Sequence, residues 1–193
     1  MRRPSTRDQL LATGLKVLHA RGFHATGVQD IAEAAEVPKA SFYSHFPSKE
    51  AFGADVLGRY WERRASHAAG ILSDQSRPPL QRLHAYFDGK ATPAPDARFD
   101  RGCMIGNFSA ELAADSALVR DRLAAVFAAW GALLARCIRE AQQDGSLRST
   151  LDPDQTAAFL IDAFEGAVLR TKVDRDGSAL ERFRAVVFSS ILI

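Results

Sequence analysis

Apolar residues recur every three or four positions along most of this 193-residue chain. That spacing limits the possible folds more than any other feature. It is the period of an amphipathic α-helix, whereas a half-buried β-strand alternates with a period of two. Ala, Leu, Arg and Glu fill these windows, and the β-branched residues that favour strands are scattered. The pattern therefore predicts an all-α fold.

Local start and stop signals divide the pattern into helices. The first helix is predicted from Thr6 to Arg21, with Ser5 or Thr6 as its N-cap and Gly22 as its stop. Thr26 and Gln29 have the spacing of a capping box, in which both side chains satisfy backbone N–H groups of a short helix through Ala35. The other predicted helices run from Pro38 to Phe46, Lys49 to Leu72, Leu80 to Asp88, Cys103 to Ala114, Ala117 to Gln143, Pro153 to Lys172, and onward from Ser178.

Composition excludes several classes of protein. The two cysteines, Cys103 and Cys137, form no CxxC pair, which argues against a disulfide scaffold or a Cys-based zinc module and favours a reducing compartment. The first nine residues contain no apolar stretch of a secretory signal. The longest uncharged run has 13 residues, fewer than the ~18 of a membrane span. We expect a cytoplasmic protein with no membrane partner.

No enzymatic motif is present in the sequence. It contains no nucleophile elbow, phosphate-binding loop or HExxH motif, and its five histidines lie in separate segments without metal-ligand spacing. The acidic pairs Asp152/Asp154 and Asp174/Asp176 stand beside Pro or Gly at helix ends, where caps and turns explain them. The sequence therefore predicts no catalytic residue, no metal and no cofactor.

Two short helices joined by a tight corner, between residues 26 and 49, have the arrangement of a helix-turn-helix, whose second helix enters the DNA major groove. The stretch from Val37 to Lys49 contains no acid. It carries two lysines, one histidine and short hydrogen-bonding side chains suited to phosphates and base edges. On spacing alone, a solvated helix corner with incidental lysines remains an alternative.

The net charge of +2 is small for a nucleic-acid binder, but its distribution is uneven. Residues 1–60 hold 8 basic and 6 acidic side chains, whereas residues 61–193 hold 17 of each. The whole excess thus lies in the N-terminal part. Arg2, Arg3 and Arg7 are predicted to precede the first helix as a tail that contacts phosphates or a minor groove.

Residue identities extend this interpretation. The segment from Gly22 to Ala51, with VQDIAEAA followed by VPKASFYSHFPSKEA, resembles the N-terminal domain of TetR/AcrR-type transcriptional repressors. The resemblance implies a three-helix DNA-binding domain over residues 1–47 and a helical-bundle domain for ligand sensing and dimerisation over residues 48–193. Glu36 departs from the family, which often has Gly at this corner. Either Glu36 is not left-handed here, or DNA affinity is slightly reduced.

The resemblance also assigns roles to individual residues. It implies that the third helix reads operator DNA, with Lys39, Ser41 and Ser44 contacting base edges. Gln29 would reach the same edges from the helix before it. It implies phosphate contacts for Tyr43, His45, Lys49 and Thr26. The partner would be a palindromic operator of double-stranded DNA.

Two later segments, RGCMIGNFSAELA at residues 101–113 and FEGAVLRTKV at residues 164–173, resemble the subgroup that includes repressors responsive to electrophiles and acrylate-like compounds. This implies a small-molecule inducer or an electrophile as effector. The uncharged end of the chain, Ala185 to Ile193, would be costly to expose. In the resembled family the last two helices form the homodimer interface; burial within the subunit is the alternative.

Cys103 is the predicted sensor thiol. It stands at a helix N-terminus after Arg101, where the helix dipole and the Arg charge both favour the thiolate that electrophiles and oxidants attack. Simple packing, the usual role of an unpaired cysteine, remains the alternative. Cys137 lies within an apolar stripe and is predicted to belong to the core.

Several aromatic side chains, Phe159 among them, are predicted to face inward from different helices, where they would either enclose an apolar ligand pocket with a few polar groups or form ordinary core. The predicted pocket residues are Trp61, Phe87, Met104, Asn107, Phe108, Glu111, Phe127, Trp130 and Phe164. Together these features predict a homodimeric repressor that a ligand or cysteine modification releases from its operator. A helical small-molecule-binding protein that does not bind DNA, or an activator of the same family, remains possible.

Overall fold

A computed structural model of the chain describes residues 5–91, 99–148 and 150–193, and these residues form α-helices with no β-strand among them. The helices are α1 Thr6–Arg21, α2 Val28–Ala34, α3 Lys39–Tyr43, α4 Lys49–Leu72, α5 Pro79–Ala91, α6 Met104–Leu112, α7 Ala117–Gln143, α8 Pro153–Asp174 and α9 Ser178–Val186, followed by a π-helical segment Val187–Ile191. The predicted all-α fold is confirmed. No helix in the described ranges is long and apolar enough to cross a membrane.

Side-chain caps begin three of these helices, and one of them is the predicted cap Ser5. The first N–H groups of a helix have no carbonyl partner within it, so a side-chain oxygen just before the helix stabilises it. Ser5 accepts the Asp8 N–H at 3.1 Å, Ser48 accepts the Ala51 N–H at 3.0 Å, and Asp152 accepts the Gln155 N–H at 2.8 Å. Gly22 ends α1 with φ 86°, a positive value that glycine adopts without steric cost.

The predicted capping box of α2 is wrong. The N-cap residue is Gly27, and the carboxylate of Asp30 accepts its N–H at 2.6 Å. The Thr26 side chain is fully buried, and its hydroxyl donates to the Gly22 carbonyl at 2.8 Å, so it closes the preceding turn instead of capping α2. Gln29 donates to Glu33 on the surface of α2.

Several helix ends also differ from the prediction, most of all those of α3 and α5. α3 ends at Tyr43, three residues before Phe46, because Pro47 disfavours helical backbone at Phe46 and the Ser44 hydroxyl bonds the Ala40 carbonyl. α5 extends to Ala91, past the predicted end at Asp88.

The described residues fall into two compact units. The first unit joins the chain up to Arg63 with Cys103–Val126, so it holds α1 to α3, the start of α4, α6 and the start of α7. Within it, the rings of Phe42, Phe46 and Phe52 lie 4.8–5.4 Å apart and are buried. These rings hold α3 against α4.

The second unit joins Arg64–Gly102 with Phe127–Ile193. Its core brings together Phe87, Phe164 and Phe183, whose ring centroids are 5.2–6.2 Å apart. The indole N–H of Trp130 donates to the Tyr86 hydroxyl at 2.6 Å, so the one polar atom of this buried ring is satisfied.

We expect Phe42→Ala to destabilise the protein by about 3–5 kcal/mol, because it empties the space between two buried rings. Tyr43→Ala is the control: this neighbouring ring is 54% exposed, and its loss should change the free energy of unfolding by less than about 1 kcal/mol. Urea denaturation followed by circular dichroism measures both values. Equal effects of the two substitutions would contradict the packing described for α3.

Candidate functional site

The corner between α2 and α3 is a sharp turn of the backbone at Glu36, which has φ 54°. The Val37 N–H donates to the Ala32 carbonyl at 3.0 Å and so folds the chain back over the end of α2. A non-Gly residue in this left-handed conformation costs on the order of 1 kcal/mol. Of the two alternatives given for Glu36, the one in which it is not left-handed is therefore wrong.

α3 turns one apolar residue inward and most of its polar residues outward. Phe42 is fully buried, whereas Lys39, Tyr43 and Ser44 are exposed and Ser41 is partly buried. His45 follows the helix and is exposed as well. We call these five polar residues, with exposed Gln29 on α2, the reading surface: Gln29, Lys39, Ser41, Tyr43, Ser44 and His45. The surface carries one permanent positive charge and no acid of its own.

Two residues predicted to hold phosphates do not present their side chains on this surface. The Thr26 hydroxyl is buried against Gly22. The ammonium group of Lys49 lies 4.2 Å from the centroid of the Phe23 ring, a cation–π contact, and partial burial lowers the pKa of this amine. Both side chains stabilise the turn between α1 and α2, and we leave them out of the reading surface.

The predicted arginine tail is only partly described. Arg2 and Arg3 lie outside the described residues. Arg7 belongs to the first turn of α1, where it pairs with Asp55 at 2.6 Å and lies over the Phe46 ring. Its placement before the first helix is therefore wrong, and its charge is already paired within the unit.

The nine predicted pocket residues divide between the two units. Trp61, Met104, Asn107, Phe108 and Glu111 belong to the first unit, and Phe87, Phe127, Trp130 and Phe164 to the second. In the second unit, Trp130 and Phe87 both contact Phe164 in the packed core. In the first unit, the Glu111 carboxylate accepts hydrogen bonds from backbone N–H groups of Phe23 and His24, so it faces the α1–α2 turn.

A shallow groove between α7 and α8 has a volume of about 430 Å³. It is lined by Phe127, Ala128, Gly131, Ala132, Asp154, Ala158, Ile161 and Asp162. Of the predicted pocket residues it contains Phe127 alone. Apolar spacing could not reveal the Ala and Gly residues of this lining, because small residues mark a groove only where two helices lie side by side.

Cys103 is the N-cap residue of α6 and is partly buried. Its Sγ lies 3.7 Å from the hydroxyl oxygen of Tyr60, a buried residue of α4. The Tyr60 ring in turn packs edge-on against His19 of α1, with centroids 5.6 Å apart. The sequence places Cys103 at the helix start but holds no signal for its contact with Tyr60, which lies 43 positions away.

Cys137 is fully buried, and its thiol donates to the Pro79 carbonyl at 3.4 Å. Burial raises the pKa of this thiol to about 11. Its predicted place in the core is confirmed. The two thiols therefore differ in access. Among the residues described, no group of three His, Cys, Asp or Glu side chains is arranged to hold a metal ion.

Comparison with known proteins gives consistent matches over the whole chain. A family model described as bacterial regulatory proteins of the tetR family matches residues 10–55, and one described as a tetracyclin repressor-like C-terminal domain matches residues 79–187. The chain is 42% identical to the HTH-type transcriptional repressor DhaR of Mycobacterium sp. (strain GP1), with 100% of this chain and 95% of DhaR aligned.

Two further proteins extend the comparison. The transcriptional regulator AcuR of Cereibacter sphaeroides is 34% identical, over 91% of this chain and 80% of AcuR. The crystal structure of the reduced form of NemR from E. coli superposes with a TM-score of 0.86 at 31% identity, covering 94% of each chain.

We predict that N-ethylmaleimide labels Cys103 in the folded protein and leaves Cys137 unlabelled. At pH 8 a thiol with a pKa of about 11 is only about one part in a thousand thiolate, and burial blocks the reagent further. Intact-protein mass spectrometry should show one adduct in the wild type, none in Cys103→Ser, and two after denaturation. Labelling of Cys137 in the folded protein would contradict its placement in the core.

Proposed function

This chain belongs to the TetR family of bacterial transcriptional regulators, which are not enzymes, and from this premise we propose that it is a homodimeric, cytoplasmic repressor of transcription. In this proposal residues 1–47 bind a palindromic DNA operator, and residues 48–193 sense an effector and dimerise. Relatives named as transcriptional repressors support the direction of regulation.

The reading surface on α2 and α3 carries the DNA-binding proposal. Burial of Phe42 and Phe46 fixes α3, so Lys39, Tyr43 and Ser44 point into solvent from a rigid support. An exposed, acid-free helix of this size fits the major groove, which admits an α-helix. Two such helices in a dimer would read half-sites about 34–36 Å apart on one side of the duplex.

Individual roles follow from side-chain chemistry. Lys39 is the one lysine of the reading surface and would donate to guanine edges or a phosphate. The hydroxyls of Ser41, Tyr43 and Ser44, together with His45, would donate to phosphates or base edges. Gln29 would exchange its 2.6 Å hydrogen bond with Glu33 for an adenine edge.

The effector proposal rests on α6. Cys103 is partly exposed at the N-terminus of this helix, where the helix dipole favours the thiolate. We propose that the thiolate adds to the β-carbon of an activated, acrylate-like alkene, forming an S–C bond while the C=C π bond breaks and the α-carbon takes a proton from water, or that a small molecule binds in its place. Either event would favour a conformation with lower operator affinity.

The dimer proposal rests on an apolar face of α8 and α9. Leu169, Val173 and Val186 are 62%, 74% and 56% exposed, and Phe159, predicted to face inward, is 52% exposed. A Cβ at Gly166 would meet no atom within 4 Å, so packing within the chain does not require this glycine. A second copy packed on this face would bury these side chains and make use of the small residue.

We expect Lys39→Ala to weaken binding to the DNA upstream of the protein's own gene about tenfold, and to reduce the salt slope of log K by about one. Tyr43→Phe should weaken it by about threefold to tenfold, because one phosphate hydrogen bond is lost. Fluorescence anisotropy with promoter and scrambled duplexes at several salt concentrations measures these effects. Lys16→Ala removes the same charge from an exposed position of α1. It is the control and should change affinity less than twofold.

If the wild-type protein binds promoter and scrambled DNA equally, or if both reading-surface variants bind as the wild type does, the repressor proposal is wrong. The helical small-molecule-binding protein then becomes the better interpretation.

We predict that the double variant Leu169→Asp/Val173→Asp is monomeric, because two carboxylates would be buried without partners in the proposed interface. Light scattering coupled to size-exclusion chromatography measures the mass. Leu118→Asp, at an equally apolar residue of α7 that is 52% exposed, is the control and should remain dimeric. A dimeric double variant would place the interface elsewhere.

A further inference from the structure

Glu111, near the C-terminal end of α6, holds the turn between α1 and α2 by hydrogen bonds. Its carboxylate Oε2 accepts the N–H of Phe23 at 2.8 Å and the N–H of His24 at 2.9 Å. The imidazole Nε2 of His24 lies 2.9 Å from the backbone carbonyl oxygen of Glu111, to which it donates when it carries the proton. Two residues 87 positions apart are thus joined through both their side chains and their backbones.

These hydrogen bonds satisfy the backbone amides of the turn. Both amides come after the end of α1, so no carbonyl of that helix accepts them, and an ionised acceptor makes the hydrogen bonds stronger than neutral ones. Gly22 has φ 86°, and a Cβ built there would lie 3.1 Å from Oε1 of Glu111. Glycine at this position therefore permits both the turn and the close approach of the carboxylate.

Apolar packing holds the same turn to the same helix. The Phe23 ring is buried, with its centroid 5.9 Å from that of Phe108, which precedes Glu111 by one turn of α6. A Cβ at Gly53 would lie 2.8 Å from Phe23, so α4 also closes tightly around this ring. A shift of the C-terminal half of α6 would have to move Phe23 with it.

The turn leads directly to the reading surface. Thr26 ties its two ends together, since its hydroxyl donates to Gly22 and its N–H donates to the Phe23 carbonyl. α2 begins two residues later, at Val28. The position of this turn therefore sets where α2 and α3 present their side chains.

The other end of α6 is Cys103. α6 has nine residues, a rise of about 13 Å, and so acts as one short rigid rod between the two contacts. At its start Cys103 Sγ contacts the Tyr60 hydroxyl; near its end Glu111 holds the turn. An adduct on Cys103 that extends inward would displace Tyr60 or α6, because Tyr60 is buried.

We propose that Glu111 is a positioning residue for DNA binding: its carboxylate holds the α1–α2 turn in the DNA-competent position and passes the state of Cys103 to the reading surface along α6. The inference rests on the proposed repressor function. It assigns to Glu111 a role separate from any ligand pocket, and one that a merely stabilising contact would not have.

The experiment measures affinity for the promoter duplex before and after complete alkylation of Cys103 with N-ethylmaleimide. Glu111→Ala removes the acceptor, Glu111→Gln keeps one carbonyl oxygen, and Asp115→Ala is a control that removes an equally negative, exposed side chain just beyond α6. Loss of an acid alone should leave DNA affinity unchanged or raise it. We expect Glu111→Ala to bind at least fivefold more weakly, Asp115→Ala to stay within twofold or bind more tightly, and Glu111→Gln to recover most of the loss.

Alkylation should weaken the wild type at least tenfold and Glu111→Ala less than threefold further, because the connection is already broken. Hydrogen exchange at the amides of Phe23 and His24 should be faster in Glu111→Ala than in the wild type, and circular dichroism checks that the helices remain folded.

Each other outcome overturns a defined statement. If Glu111→Ala binds as the wild type does, the residue does not position the reading surface. If its binding is weaker but alkylation changes affinity by the same factor as in the wild type, the contact is only structural. If the wild type binds its promoter and alkylation has no effect, transmission along α6 is wrong while operator binding stands. If the wild type does not prefer promoter DNA, the repressor function itself fails, and the positioning role with it.

Discussion

The mutual burial of Phe42, Phe46 and Phe52 is the contact on which the reading surface depends. α3 has five residues, too short to be stable by itself, since most helical stability in proteins comes from packing. Its one buried side chain anchors it to α4, and most of its polar neighbours then face outward. A short helix with one apolar anchor thus becomes a rigid support for hydrogen-bonding groups, which is what recognition of base edges requires.

This chain has little excess positive charge, and part of it is already paired within the fold. The net +2 belongs to the first 60 residues, and the structure shows that several of those cations are already committed: Arg7 pairs with Asp55, Arg59 with Asp8, and Lys49 lies over Phe23. What remains at the reading surface is one lysine among neutral donors. Binding through such a surface would depend more on hydrogen-bond geometry than on general attraction to phosphates.

α6 has a cysteine at its start and, near its end, the residues that hold the α1–α2 turn in place. Cys103 lies against a buried tyrosine, and Glu111 and Phe108 hold the turn that leads into α2. Of the two thiols, Cys103 combines partial exposure with a place at a helix start, whereas burial keeps Cys137 protonated. The proposed function joins a sensor domain to a DNA-binding domain, and the contacts of α6 suggest how one would influence the other.

Local sequence signals determined most of the secondary structure. The apolar period, the caps at Ser5, Ser48 and Asp152, and the stop at Gly22 depend on neighbours within four residues, and each was predictable. The family also followed from residue identities. Tertiary structure alone decided the partners of side chains that had several to choose from. Thr26 donates to Gly22, Lys49 lies over Phe23, and Glu111 accepts from the α1–α2 turn. Each of these polar groups could have served DNA or a ligand, and the partner was set by backbone groups and rings that only the fold brings within reach.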